Sequence, residues 1–272
     1  MSSKNSLGPG EFYGMVARKA KIAELRLTDV RHPRGRELPR HEHELAYFSL
    51  LLDGDYTETI GPRRFRYRPG TVGFHPAGLQ HCDEIGSCGG RFFCIELDGR
   101  WLQRARDLEL RLQPAPAIYE GEVAMLALRL HHEMRSGDDG AHLAAESLIL
   151  EMLAALGLEP RLFTETGPPA WLLRVKDRLR DEIRPRPALT ELALEASVHP
   201  VYLARAFRRF ERCSIGEYAR RLRVEKACRD ILRGDRSLAD IALDSGFADQ
   251  AHFTRVFKRF LKVPPGAFRD EA

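Results

Sequence analysis

Leu192-Ala193-Leu194-Glu195-Ala196-Ser197-Val198 leads into Ala206-Phe207-Arg208-Arg209-Phe210, and 49 to 50 residues later Ile241-Ala242-Leu243-Asp244-Ser245-Gly246-Phe247 leads into Val256-Phe257-Lys258-Arg259-Phe260. Each copy reads as a short helix with a small residue where a second helix packs closely (Ala193, Ala242), then a tight turn, then a helix ending in an aromatic and basic cluster. That is the form of a helix-turn-helix. The turn demands a left-handed backbone, which Gly246 supplies without steric cost and Ser197 supplies less well, so the second copy is the cleaner one. Leu203 and Phe207, and likewise Phe253 and Phe257, are four apart and are expected to face a core. Arg205, Arg208, Arg209 and Gln250, Thr254, Arg255, Lys258 then fall on other faces, where DNA can be reached. Mere solvation of a surface helix explains neither the repeat nor the match of Arg205 with Arg255. Between the copies, Ser214-Ile215-Gly216-Glu217 reads as a capping box opening a helix that lasts to about Arg233, where Gly234 closes it. About 20 residues make a rod of ~30 Å, able to hold two reading heads about one DNA turn, ~34 Å, apart.

Upstream, Leu172, Val175, Leu179 and Ile183 form a helical stripe ended by Pro185 and Pro187. The Pro-rich stretch Leu158 to Pro169 coincides with a change of charge: 21 Lys and Arg against 24 Asp and Glu in residues 1–168, but 22 against 15 in residues 169–272. The domain boundary is expected there, with a linker at 161–169 and a basic segment behind it suited to a polyanion. Before the linker, Val123, Leu126, Leu130 and Met134, then Gly137-Asp138-Asp139-Gly140, then Leu143, Leu148, Met152 and Leu156 predict a helical hairpin. Residues 21–97 read as short strands, Ala23–Val30, Leu45–Leu52, Tyr56–Ile60, Phe65–Tyr67, Thr71–Phe74 and Arg91–Leu97. Turns are expected at 52–55, 61–62, 69–70 and 88–90, as in a barrel or sandwich. The fold class expected is therefore α+β with two domains: an N-terminal β-barrel with a helical hairpin (1–160) and an all-α C-terminal domain (170–272).

The 272-residue chain is 43% hydrophobic and carries a net charge of +4, a globular composition. Its longest apolar run, Leu45 to Leu52, is far short of the ~20 residues that span a bilayer. The N-terminus lacks a secretory pattern, so a cytoplasmic location away from membranes is expected, with Cys82, Cys88, Cys94, Cys213 and Cys228 as free thiols. There is no phosphate-binding Gly loop, nucleophile elbow or His-Glu-x-x-His, so no catalytic set emerges.

Residues 170–270 resemble the DNA-binding domain of the AraC/XylS family of bacterial transcription regulators. The pattern is carried by Ser237-Leu238-Ala239-Asp240-Ile241-Ala242, Ser245-Gly246-Phe247-Ala248-Asp249-Gln250-Ala251-His252-Phe253-Thr254-Arg255-Val256-Phe257-Lys258-Arg259, Pro265 and Phe268-Arg269. The resemblance implies recognition helices at about Pro200–Phe210 and Gln250–Phe260, with base contacts from Val201, Ala204, Arg205, Gln250, Ala251, Thr254 and Arg255. Geometry suits Arg205 and Arg255 to guanine, Gln250 to adenine, and Val201 and Ala204 to a thymine methyl, with Arg208, Lys258 and Arg259 on phosphates. The chain departs from the family pattern where Arg212 and Lys262 replace the glycine after each recognition helix, where His199 and Pro200 open the first one, and where Ala188 replaces the helix-opening Ser that survives as Ser237.

Residues 35–97 resemble a cupin, through Gly35, His41, His43 and Gly54 and through Gly70, Pro76, Gly78 and His81. Cupin enzymes hold a divalent metal with His, His, Glu and His, but the Glu position is Tyr47 and the expected Asn is Ile85. His41, His43, Tyr47 and His81 are therefore assigned to an organic effector, with a metal such as zinc on His41, His43 and His81 as the alternative. His75, His131 and His132 are read as surface or packing residues, and Cys82, Cys88 and Cys94 are too loosely spaced to define a thiol site. The expectation is a promoter-binding regulator, in the family's commoner mode an activator. It is controlled by a small molecule, dimeric through the helical hairpin, and able to meet RNA polymerase. A metal-dependent cupin enzyme fused to a DNA-binding module and an architectural DNA binder are the rivals.

Overall fold

In the computed structural model, which describes residues 6–108, 116–136, 141–156, 168–184, 187–234 and 236–270, the chain divides into two compact units, Met1–Leu162 and Phe163–Ala272. The expected linker falls almost wholly outside the described residues, as do the 137–140 loop and Pro185.

The N-terminal unit contains β1 (Ser6–Leu7), β2 (Met15–Ile22), β3 (Leu25–His32), β4 (Glu37–His43), β5 (Ala46–Ile60), β6 (Arg63–Tyr67), β7 (Val72–His75), β8 (His81–Leu97), α1 (Gly99–Asp107), β9 (Ala117–Tyr119), α2 (Glu122–Ser136) and α3 (Ala141–Leu156). The sheet runs β1-β4-β8-β5-β7-β9, with β3 also on β8, β2 on β3 and β6 on β5. Two turns expected from Asp53-Gly54 and Cys88-Gly89-Gly90 are instead bends inside the long strands β5 and β8, which pair antiparallel with Gly54 opposite Gly90. Gly54 has φ +101°, and a Cβ there would lie 2.1 Å from the Gly89 carbonyl oxygen, so no other residue fits. Because the register shifts on either side of Gly54, each long strand changes partner beyond the bend: β5 passes from β7 to β6, and β8 from β3 to β4. The strand expected at Ala23–Val30 is also different. Ala23 and Glu24 have φ of +50° and +64° and form the two-residue turn between β2 and β3.

α2 buries Val123, Leu126, Leu130 and Met134 as expected, and α3 buries Leu148 and Met152. Leu143 does not belong to that stripe and is 75% exposed. The inward residues Ala141, Ala145, Leu148, Ile149, Met152 and Leu153 follow helical spacing, and Leu143 sits two positions, more than half a turn, away from Ala145. A buried ion cluster ties α2 to the sheet. Asp29 on β3 accepts from Arg91 Nε (3.1 Å) and Nη2 (2.6 Å) on β8 and from His131 Nε2 (3.3 Å) on α2.

The C-terminal unit comprises α4 (Ala170–Asp181), α5 (Leu189–Glu195), α6 (Pro200–Glu211), α7 (Ile215–Arg233), α8 (Leu238–Asp244), α9 (Gln250–Leu261) and α10 (Pro265–Asp270). α4 stops at Asp181, so Ile183 lies beyond the helix that was expected to carry it, and its carbonyl instead accepts from Arg223. The repeat is a repeat of geometry. Val198 N–H bonds Ala193 O and Ser197 N–H bonds Leu194 O, both at 3.0 Å. Phe247 to Ala242 and Gly246 to Leu243 repeat the pair at the same distances. These are the two bonds of a Schellman motif, with Ser197 at φ +54° and Gly246 at +81° in the left-handed position. Leu203, Phe207, Phe253 and Phe257 are fully buried, as their spacing predicts. Phe247, Phe253, Phe257 and Phe268 form a chain of ring contacts at 5.2 to 5.4 Å. Ser214 Oγ caps α7 by accepting from Glu217 N–H (3.2 Å), and Gly234 closes it at φ +87°. Among the described residues no helix is long and apolar enough to cross a membrane, and all five cysteines are free.

Both α6 and α9 end on a residue that resists its conformation: Arg212 at φ +56° and Lys262 at +66°. Glycine relieves the Cβ clash at the cost of more chain entropy, so Arg212→Gly and Lys262→Gly should each stabilise the C-terminal unit by about 0.5–1 kcal/mol in urea unfolding. In the N-terminal unit, Asp29→Asn leaves the half-buried Arg91 guanidinium and the buried His131 imidazole poorly matched and should cost about 2–4 kcal/mol, less than a fully buried pair because Arg91 reaches water. Burial alone raises the Asp29 pKa, but His131 and Arg91 outweigh it and hold the carboxyl well below the usual range. Its stabilisation is therefore full above the unfolded carboxylate pKa and fades as pH falls below it, a dependence that D29N should lack.

Candidate functional site

Two regions carry unused chemistry, one in each unit. In the C-terminal unit, α6 opens on His199, whose ring accepts from Val201 N–H (3.3 Å), with Pro200 at its first position; α9 opens on Asp249, whose carboxylate accepts from His252 N–H (2.6 Å). Apart from half-buried Thr254, the residues singled out on these helices, Val201, Ala204, Arg205, Arg208, Gln250, Ala251, Arg255, Lys258 and Arg259, are all exposed. Arg205, Arg208, Arg255, Lys258 and Arg259 have no carboxylate partner among the described residues, so their charge is available to an anion. Thr254 Oγ1 is committed to Gln250 O (2.8 Å), which leaves its methyl as the uncommitted part of the side chain. The two helix, turn, helix units are joined by the 19-residue α7, a rod of ~28 Å, which packs on α6, α8 and α9.

In the N-terminal unit the pairing of β4, β5, β7 and β8 brings His41, His43, Tyr47 and His81 together inside the curled sheet, all buried. His41 and His81 are direct cross-strand partners with ring centroids 4.3 Å apart. His41 Nδ1 donates to Pro39 O (2.9 Å) and His81 Nδ1 to Leu79 O (3.0 Å), while the Tyr47 hydroxyl donates to His81 Nε2 (3.3 Å). Burial keeps His41 and His81 below the ordinary imidazole pKa and takes His43 to about 2, so all three rings are neutral near pH 7.

Sequence reasoning missed three neighbours. His75 is buried, stacks on Tyr47 at 4.3 Å, and donates from Nε2 to Glu58 (2.8 Å), so of the surface and packing roles expected for it the packing one holds, behind Tyr47. Glu58 also accepts from the Tyr67 hydroxyl (2.6 Å). Burial pushes its pKa up, but His75 outweighs burial and holds it at about 2. Asp83 accepts from the Tyr56 hydroxyl (2.7 Å), lies 3.8 Å from His41 Nε2, and is raised to about 6 by burial and the nearby Glu58 charge. Strand pairing is the signal that finds them, since Tyr47 faces His75 and Glu58 faces Asp83 across the ladder. Phe12 and Tyr13 cover the mouth, with rings 4.9 Å from His43 and His41. The cavity that Phe12, Tyr13, His41, His43, Tyr47 and Asp83 help to line is about 40 Å³ and partly open.

The chain matches two families in succession: the AraC-like ligand binding domain over residues 27–153 and a helix-turn-helix domain over residues 192–271. Among curated proteins it is similar to the probable transcription factor PqrA of Proteus vulgaris, 42% identical over 69 residues, which are 25% of this chain and 57% of that protein. It is also similar to a putative AraC-like transcription regulator of Streptomyces lividans, 33% identical over 139 residues, 46% of this chain and 45% of that one. The chain spans less than two thirds of the length of either relative. The solved structure of ToxT from Vibrio cholerae aligns with 91% of this chain and 98% of its own at 10% identity and a TM-score of 0.40. With the two matched families in this order along one polypeptide, and the repeat geometry within the second, the chain belongs to the AraC/XylS family of transcription regulators.

Proposed function

We propose that this protein is a sequence-specific DNA-binding transcription regulator whose C-terminal unit is a double helix-turn-helix and whose N-terminal unit is a cupin-type sensing barrel. One observation carries the reading: the same Schellman turn occurs twice, each time followed by a helix that buries two core residues four apart and exposes an unpaired arginine at the matching position, Arg205 and Arg255. A solvated helix surface needs no such duplication. α6 and α9 enter successive major grooves, with Val201, Ala204, Arg205, Gln250, Ala251, Thr254 and Arg255 at base edges and Arg208, Lys258 and Arg259 on phosphates. The basic balance of residues 169–272 supplies the sequence-independent part of the affinity.

His41, His43, Tyr47 and His81 form the polar lining of the sensing pocket. A ligand there shifts the population of DNA-competent forms, and it does so only in proportion to its preference for one of them. At about 40 Å³ the cavity is far below the ~300–1,000 Å³ of ordinary small-molecule sites, so an organic effector needs its lining, Phe12 and Tyr13 among it, to move aside. Packing of α2 and α3 against a second copy gives a homodimer, and promoter-bound dimers activate through RNA polymerase in the cytoplasm.

Selection of random duplexes by the full chain should enrich an asymmetric site with two informative blocks about one helical turn apart. Arg255→Ala should relax preference at one or two base pairs by about 1–3 kcal/mol. Lys258→Ala should weaken all sequences alike and lower the salt slope by about 1. An enriched motif unchanged by Arg255→Ala would refute the base-reading role, and binding without any enrichment would turn the reading toward an architectural protein.

A further inference from the structure

We propose that the segment 182–184, just beyond α4, is a strut between the two helix, turn, helix units, and that Arg184 is a positioning residue which sets the spacing of the two DNA blocks the protein reads. The proposal rests on the DNA-reading role assigned to α6 and α9, although the strut itself stands on contacts within the C-terminal unit.

The first observation is that α4 belongs to the first of the two units. Its Leu172, Val175 and Leu179 share one core with Leu192, Leu203 and Phe207 of α5 and α6. Lys176 lies 3.1 Å from Glu211 at the end of α6, and Arg178 pairs with Glu195, the last residue of α5. The chain beyond α4 then leaves that core and reaches the second unit. Arg184 Nη1 donates to Leu243 O at 2.9 Å, the same carbonyl that accepts from Gly246 N–H in the Schellman turn. Ile183 O accepts from Arg223 Nη2 on α7 at 3.4 Å. A Cβ on Gly246 would lie 3.1 Å from both Ile183 O and Arg223 Nε, so the strut, α7 and the turn of the second unit meet at a distance that a larger residue would disturb. Gly246 thus serves a close approach as well as a left-handed backbone.

The second observation is that the two units are gripped at the same place. Leu194-Glu195 and Leu243-Asp244 are corresponding positions of the repeat, 49 residues apart. In the first unit Arg178 of α4 holds Glu195, and in the second Arg184 of its extension holds the Leu243 carbonyl. A cation at the C-terminal end of a helix also meets that end's partial negative charge. α7 carries both units, but a rod by itself resists bending better than it resists swinging of what is attached to its far end. Arg184 adds a hold on the second unit that comes from the first unit and not from α7. One base pair of slip is ~3.4 Å along the duplex and about 34° around it, so a small swing of α9 relative to α6 changes which block spacing fits.

Arg184 is exposed, so its truncation removes the bond without opening a core. The test measures binding of the full-length protein to its selected two-block duplex and to duplexes with one base pair inserted or deleted between the blocks. For the wild type, altered spacing should weaken binding by about 10-fold or more, and Arg184→Ala should cut that penalty to about 2- to 3-fold. Arg178→Ala, which loses a hold inside the first unit only, should keep the wild-type penalty. A second readout needs no DNA: spin labels at exposed Leu194→Cys and Ala239→Cys, with Cys82 and Cys88 replaced by Ser, report the distance between α5 and α8. Arg184→Ala should broaden that distance distribution. The strut is overturned if Arg184→Ala keeps the wild-type spacing penalty, if Arg178→Ala relaxes it equally, or if the distribution keeps its width. Should the wild type show no sequence preference, the regulator reading falls and the distance distribution alone decides the strut.

Discussion

The close approach of Gly54 to the Gly89–Gly90 backbone is the constraint on which the N-terminal unit depends. Two strands of 15 and 17 residues are long for a flat sheet, and a sheet with the ordinary twist would splay their ends apart. Bending both at one crease lets the same ladder form two walls. Ser49 pairs with Cys94 and Leu51 with Phe92 on one side of the crease, and Tyr56 with Ile85 and Glu58 with Asp83 on the other. All eight side chains are inward only because the irregular register between Leu51 and Tyr56 changes the parity of alternation. Without that change, Tyr56 and Glu58 would face solvent and the histidines would line a pocket with no carboxylate wall.

Placing so many ionisable groups in one interior is costly unless each charge is matched. The unit resolves this by pairing. Glu58 takes donors from Tyr67 and His75, Asp29 from Arg91 and His131, and Asp83 from Tyr56. The three rings of His41, His43 and His81 stay neutral instead, with one nitrogen of each within 4.8 Å of the others and the Tyr47 hydroxyl donating to His81 Nε2. Buried ring nitrogens of this kind are tolerated where a ligand, a proton or an ion completes them.

The C-terminal unit was legible because its information is local. Helical spacing of Leu203, Phe207, Phe253 and Phe257, the caps at Ser214 and Ser237, and the left-handed positions at Ser197 and Gly246 all sit within a few residues of what they control. The N-terminal histidines were also legible, since alternation along β4 places His41 and His43 on one face. His75, Glu58 and Asp83 were not, because their membership depends on register between strands far apart in sequence. The Gly-rich stretches at Gly54 and Gly89 read as turns when each is seen alone, and only their pairing shows that they are one crease. Leu143 lies outside the stripe for a smaller reason: it is apolar and close to the stripe in sequence, but its angle around α3 points to solvent.

The two units also differ in how much conformational choice their sequences leave. The two helix, turn, helix units are over-determined, with duplicated Schellman bonds, buried aromatics and capped helix starts, so a ligand has little there to rearrange. What looseness remains lies at Arg212 and Lys262, where a side chain occupies a backbone state that favours glycine, at the ends of the helices proposed to meet DNA. The pocket is the reverse case: its walls are fixed by the crease, while its mouth is closed by Phe12 and Tyr13. Those rings come from a segment held by one short parallel pairing of Ser6–Leu7 with Glu42–His43 and by the bond of Gly10 N–H to Glu96. His43 belongs both to that pairing and to the histidine cluster, so any ligand that reorients its ring acts on the strand that holds the cover. One physical route from the pocket to its cover therefore runs through His43, beside the ring contacts of Phe12 with Tyr47 and of Tyr13 with His41.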